Sequence, residues 1–207
     1  MRTLPPALTK EFAEKLDKAT EDTLENLCRL DALTPTQREQ LRLPLRHGGL
    51  GLRSQASLRD VAYLGSWVGN LEGVRERCPP GTASKDRFSS GDRAWALALT
   101  EAQAELADAG IHLTDQGEVV GAPPQAAWAW QDDAAEVPQV QKALTKALDK
   151  KRRGDLLPRL APADRAWVRS CGGTGAGALL NTTPSSEVER FTHGDFCAAV
   201  RTRLCRD

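Results

Sequence analysis

Arg46 and His47 stand at the head of a glycine turn, inside the segment Leu43-Pro44-Leu45-Arg46-His47-Gly48-Gly49-Leu50-Gly51-Leu52. A guanidinium and an imidazole beside such a turn suit a phosphate or a carboxylate. Glycine lets the backbone take φ > 0 or approach another group closely, and the side chains supply positive charge. The leucines bracketing the turn imply that it is pinned to a core. Arg42, before it, and Arg53, just after it, extend the same basic neighbourhood. A second cluster, Lys150-Lys151-Arg152-Arg153, has Lys146 one helical turn earlier. Both clusters are of the kind that tracks a nucleic-acid backbone, positioning it without reading its sequence.

Other spacings have weaker chemical meaning. Trp130-Gln131-Asp132-Asp133 echoes an aromatic-x-Asp-Asp metal turn, but no strand pattern flanks it, and it reads as an acidic loop. Gly173-x-Gly175-x-Gly177 has neither the dinucleotide spacing nor the Gly-Lys-Ser/Thr of a phosphate loop, and reads as a helix connector. His193, Cys197 and Cys205 supply three metal-type ligands where a closed zinc site needs four, so Cys197 beside Phe196 and Val200 reads as a core thiol. No Ser-His-Asp, Cys-His or paired-carboxylate constellation stands out, and no cofactor or metal is expected. Asn181-Thr182-Thr183 matches a glycosylation sequon without a secretory leader to give it meaning.

The elements that must position these residues are mainly helical. Alanine and leucine are abundant, Ile111 is the only isoleucine, and no long alternation of β-branched residues occurs. A first helix is predicted over 7–30, with Phe12, Leu16, Leu24, Leu27 and Leu30 at three- to four-residue steps. Thr34 as N-cap, Pro35 at N1 and Gln37 at N3 open a second helix, which ends before Pro44. Ser54 or Ser57 caps a third helix through Val68, and a fourth over 92–109 stops at Gly110. Residues 111–120 suit a hairpin-like strand pair or a loop. A long helix follows from about Val137 to Arg153, with Val140, Leu144, Ala147 and Leu148 on one face. A short helix over 162–170 comes next, then a glycine turn, then a last helix from about Gly194 to Leu204 opened by Thr192-x-x-Asp195. The expected fold is a helical bundle of about six helices with long Pro/Gly loops. Along the chain it divides into a segment 1–75 carrying the glycine turn, a variable and acidic region 76–136, and a basic segment 137–207.

Net charge is zero but uneven. From Thr34 to Asp60 the balance is +3, from Lys142 to Arg169 it is +6, and the remainder carries −9. Two basic islands in an acidic frame suit nucleic acid, or else are solvated helix faces. Five widely spaced cysteines without a Cys-x-x-Cys do not make a disulfide framework. With no apolar leader and no run of about 18 apolar residues, the chain is expected off the membrane, cytoplasmic or nuclear.

Two separated segments resemble one family. Leu33 to Gln37 leading into Leu43–Ser54 is similar to the region just after the polymerase core of non-LTR retrotransposon reverse transcriptases, in or near the thumb. Leu156 through Leu204 is similar to the downstream part of such reading frames. It matches in Arg165-Ala166-x-x-Arg169-Ser170, Gly172-Gly173-x-Gly175-Ala176-Gly177-Ala178, Pro184 and Phe196-x-x-Ala199-Val200-Arg201-x-Arg203-Leu204. The polymerase core lies upstream of the glycine motif in that family, and only about forty residues precede it here. The chain has no Tyr-x-Asp-Asp turn. The resemblance therefore implies a non-catalytic fragment or derivative of an RNA-directed DNA polymerase. It would contact an RNA or DNA backbone through Arg42, Arg46, His47, Arg53, Lys146, Lys150, Lys151, Arg152 and Arg153. The alternative is a helical protein-interaction or structural module with no nucleic-acid role, in which the acidic middle and the tryptophans meet a protein partner.

Overall fold

A computed structural model describes residues 4–77, 94–113, 119–120, 140–181 and 192–204. It is mainly α: α1 (Pro6–Cys28), α2 (Pro35–Arg42), α3 (Gln55–Arg77), α4 (Ala94–Asp108), α5 (Val140–Leu156), α6 (Pro162–Ser170), the short α7 (Ala178–Asn181) and α8 (His193–Arg203). A 3-10 turn, Leu157–Arg159, joins α5 to α6. The hairpin-like alternative for 111–120 is the one that forms. His112–Leu113 (β1) pairs antiparallel with Val119–Val120 (β2), His112 opposite Val120 and Leu113 opposite Val119. The expected loops at 79–81 and 123–124, the Trp130–Asp133 motif and the acidic patch to Glu136 lie outside the described residues. Among the described residues, no helix is long and apolar enough to cross a membrane.

Contacts group the chain into two compact units that do not follow its sequence order. One comprises Met1–Glu14 with Gln55–Lys151, the other Lys15–Ser54 with Arg152–Asp207. The core of the first unit is built by Val61, Tyr63 and Leu64 of α3, Ala98, Ala102 and Leu106 of α4, and Leu144 and Leu148 of α5. Leu144 and Leu148, from the face predicted for α5, are buried there, with Ala147 packed against them. Tyr63 and Trp67, one turn apart on α3, meet edge to face with centroids 6.3 Å apart. Gly65 is what lets α5 come close, since a Cβ there would lie 2.5 Å from that of Gln141. Gly110, at φ +71, ends α4 as expected. Its N–H donates to Ala107 O, and that of Ile111 to Leu106 O, while Ile111 and Leu106 pack in the same core.

The second unit closes around Leu24, Cys28, Leu33, Leu41, Cys197, Val200 and Leu204. Both predicted capping boxes are present. Thr34 and Gln37 exchange bonds at the head of α2, as do Thr192 and Asp195 at the head of α8. Gln37 also sends its amide to Leu204 O at 3.1 Å, so one side chain caps α2 and reaches the end of α8. One expectation needs correction: α3 runs past Val68 to Arg77. Along α1 the apolar repeat is split, with Leu24 buried and Phe12, Leu16 and Leu27 exposed.

Candidate nucleic-acid interface

The glycine turn begins where Pro44 stops α2. Leu43 is already extended (φ −66, ψ 147), as the residue before a proline must be. Gly48 (φ +89) and Gly51 (φ +76) occupy the left-handed region. Gly49 has no room for a side chain: a Cβ would lie 2.1 Å from Leu43 O and 2.3 Å from Gln40 O. At Gly48 it would lie 2.3 Å from Val168 O, because the backbone of α6 rests on the turn.

A phosphate cradle needs amide N–H groups that point at the ligand. Here every amide from His47 to Arg53 donates to a backbone carbonyl of this same segment: Leu41, Leu43, Pro44, Leu45 or Gly51. The turn is consumed internally, and its close backbone approach serves packing rather than an anion.

The second glycine turn is fastened to the first. Gly173 N–H donates to Arg46 O at 2.9 Å, and His47 forms an isolated antiparallel bridge with Gly172. Arg203, near the end of α8, locks the junction. Its Nε donates to Gly49 O at 2.7 Å, its Nη1 to Ala176 O at 2.8 Å, and its Nη2 to Leu45 O at 2.7 Å and Cys171 O at 2.9 Å. Gln40, buried in α2, completes the lock by donating to Gly48 O and to Arg203 O. Gln40 is not singled out by the sequence, and Arg203 stands there only as part of a matching motif, without this role. An arginine whose three guanidinium nitrogens all meet carbonyls reads in one dimension like any other cation.

The sequence-predicted basic residues fall into different environments. Arg42 is bound to the carboxylate of Glu21, a nearly buried α1 residue that Arg38 also approaches at 3.5 Å. Glu39 is taken by Arg159, whose guanidinium it holds above its ordinary pKa. Arg46 is exposed, His47 and Arg53 are half-buried, and all three have interactions of their own. On α5, Lys146, Lys150 and Lys151 are exposed, whereas Arg152 and Arg153 are half-buried. Arg153 Nε is buried without a hydrogen bond among the described residues.

Among the described residues, one face of α5 is an open cationic surface. Lys142, Lys146 and Lys150 recur every four residues and are all exposed. Among the described residues none of the three takes part in an ion pair. The second unit offers a different surface, an apolar groove of about 520 Å³ whose walls include Leu16, Leu24, Leu27, Leu50, Phe196 and Val200. The hydroxyls of Thr20 and Thr23, also in its lining, donate to Leu16 O and Ala19 O of their own helix, so the groove carries no unused donor there.

Among the described residues, no three His, Cys, Asp or Glu side chains gather as a metal site. His193 and Cys197 do meet, with Sγ 3.5 Å from Nε2, while Cys205 lies outside the described residues. The chain matches no protein-family model, no curated protein and no solved structure.

Proposed function

We propose that this chain is a non-catalytic helical module derived from the thumb and post-polymerase region of a non-LTR retrotransposon reverse transcriptase. In this reading it holds RNA or DNA by the phosphate backbone through the lysine face of α5. The observation that carries the binding role is the row Lys142, Lys146 and Lys150, exposed and without an ion-pair partner among the described residues. A lysine ammonium is a point charge that meets phosphate from many directions, which suits sequence-independent contact. The ancestry is supported by the joining of the two resembling segments, since Arg203 of the second donates to Leu45 O and Gly49 O of the first.

In this reading the glycine turn is scaffold, and Arg42 serves Glu21 rather than a ligand. Three phosphate contacts predict that log affinity falls with log salt at a slope of roughly −2 to −3. Fluorescence anisotropy with single-stranded RNA, duplex DNA and an RNA–DNA hybrid at low salt tests it. The triple variant Lys142→Glu, Lys146→Glu, Lys150→Glu should lose at least about tenfold in affinity and flatten the salt slope. Arg42→Ala should leave the slope unchanged. Absence of binding to all three nucleic acids at low salt would sink the proposal.

The apolar groove favours a second reading, a helical protein-interaction module. Binding of a hydrophobic dye to the native protein, lost in Leu27→Lys, together with absent nucleic-acid binding, would select it.

A further inference from the structure

Cys28, the last residue of α1, and Cys197, in the second turn of α8, are both buried in the core of the second unit. Cys197 Sγ donates to Leu27 O at 3.5 Å, which places it against the end of α1 beside Cys28. Cys28 directly follows Leu27, and its thiol is near enough to Cys197 for that neighbour to raise its pKa. One turn earlier on α8, the exposed His193 sets its Nε2 3.5 Å from Cys197 Sγ. Arg201 fixes the backbone of this junction by donating to Cys28 O at 2.8 Å and to Arg29 O at 3.3 Å.

A lone core thiol behaves as a small hydrophobe. Two neighbouring thiols in one core, with an imidazole on the solvent side of one of them, are a different chemical object. We propose that Cys197 and Cys28 form a peroxide-sensitive thiol pair, in which Cys197 is oxidised first, with His193 as its base, and Cys28 resolves it to a disulfide.

The chemistry closes on one peroxide. His193 takes the Cys197 proton, the sulfur attacks a peroxide oxygen, and the O–O bond breaks. The departing hydroxide takes the proton back from the imidazolium as water, leaving Cys197 as a sulfenic acid. The Cys28 sulfur then attacks the Cys197 sulfur, the S–O bond breaks, and the Cys28 proton leaves with the hydroxide as a second water. Two thiols are oxidised and one hydrogen peroxide is reduced. Burial first, and the neighbouring Cys197 second, push the Cys28 thiol up to about 11. Cys28 therefore keeps its proton until the neighbouring sulfur becomes electrophilic, which suits the resolving partner rather than the first site of attack.

The test treats the reduced full-length protein with hydrogen peroxide and maps peptides by mass spectrometry without reduction. A Cys28–Cys197 linked peptide, reversed by dithiothreitol, is expected. Cys28→Ser should arrest the reaction at the sulfenic acid, trapped by dimedone on Cys197 rather than on Cys171. His193→Asn, at an exposed position, should slow Cys197 oxidation on the order of 10²-fold with an unchanged melting temperature. Oxidation of Cys171 in preference to Cys197, absence of the linked peptide from the wild-type protein, or a wild-type rate in His193→Asn would each overturn the proposal. Wild-type mapping stands even if Cys28→Ser does not fold.

Discussion

The guanidinium of Arg203 donates through Nε to the carbonyl oxygen of Gly49 at 2.7 Å, tying the last turn of α8 to the middle of the glycine turn. Three further bonds from the same plane reach Leu45 O, Cys171 O and Ala176 O. One side chain thus satisfies carbonyls of both glycine turns, in a fork geometry that a lysine ammonium does not reproduce. Arg203→Ala leaves the carbonyls of Gly49, Cys171 and Ala176 without this donor, while Leu45 O keeps Gly48 N–H, and should cost about 3 kcal/mol or more in denaturant unfolding. Arg203→Lys should recover no more than about half of that. A loss below about 1 kcal/mol for Arg203→Ala would show that the junction does not depend on it.

Gly49 and Gly51 should respond differently to alanine. At Gly49 the new Cβ meets backbone oxygens at 2.1 and 2.3 Å, which cannot rotate away. At Gly51 the nearest atom is the Leu45 Cγ at 3.7 Å, and only the positive φ of +76 opposes the change. Gly51→Ala should cost about 1–2 kcal/mol by the left-handed penalty, and Gly49→Ala distinctly more, seen as lower urea midpoints in that order.

Arg29 is the only residue other than glycine given a positive φ among the described residues, at +48. It sits just beyond α1, where Leu30 N–H donates to Glu25 O and Arg29 N–H to Asn26 O. That is the helix end at which glycine is preferred. Arg29→Gly should therefore raise stability by about 0.5–1 kcal/mol, the relief of strain outweighing the added chain entropy. A lower melting temperature would show that the Arg29 side chain contributes more than its backbone costs.

Asp195 supplies the acid linkage at the head of α8. The Thr192 hydroxyl and its backbone N–H hold the Asp195 carboxyl below its ordinary value. A depressed folded-state pKa means stability that is fully present above the ordinary carboxylate range and is lost as pH falls through and below it. The melting-temperature gap between the wild type and Asp195→Ala should be widest near neutral pH and close as the pH drops below about 4. A gap that does not change with pH would remove Asp195 from the linkage.

The local half of this molecule was written in the order of its residues. Thr34, Pro35, Gln37 and Pro44 set the two ends of α2, and Thr192 with Asp195 opens α8. Gly110 ends α4, and Leu144 and Leu148 mark the buried face of α5. Each of these rests on groups at most a few residues apart, so spacing alone carries the information.

What spacing could not carry was the fate of the charges and of the exposed leucines. The local balance of +3 around the glycine turn looked open because Glu21 lies on another helix, yet that carboxylate binds Arg42 and faces Arg38. Glu39, counted against its neighbours in sequence, is taken by Arg159. Leu16 and Leu27 follow the same repeat as buried Leu24, but only a neighbouring helix decides which side of α1 is covered. Backbone conformation is local, so sequence determined the turn, the caps and the helices. Charge compensation and burial are properties of three-dimensional neighbours. Only the tertiary structure therefore decided that the glycine turn is a fastening point for Arg203 and that α5 keeps the open lysine face.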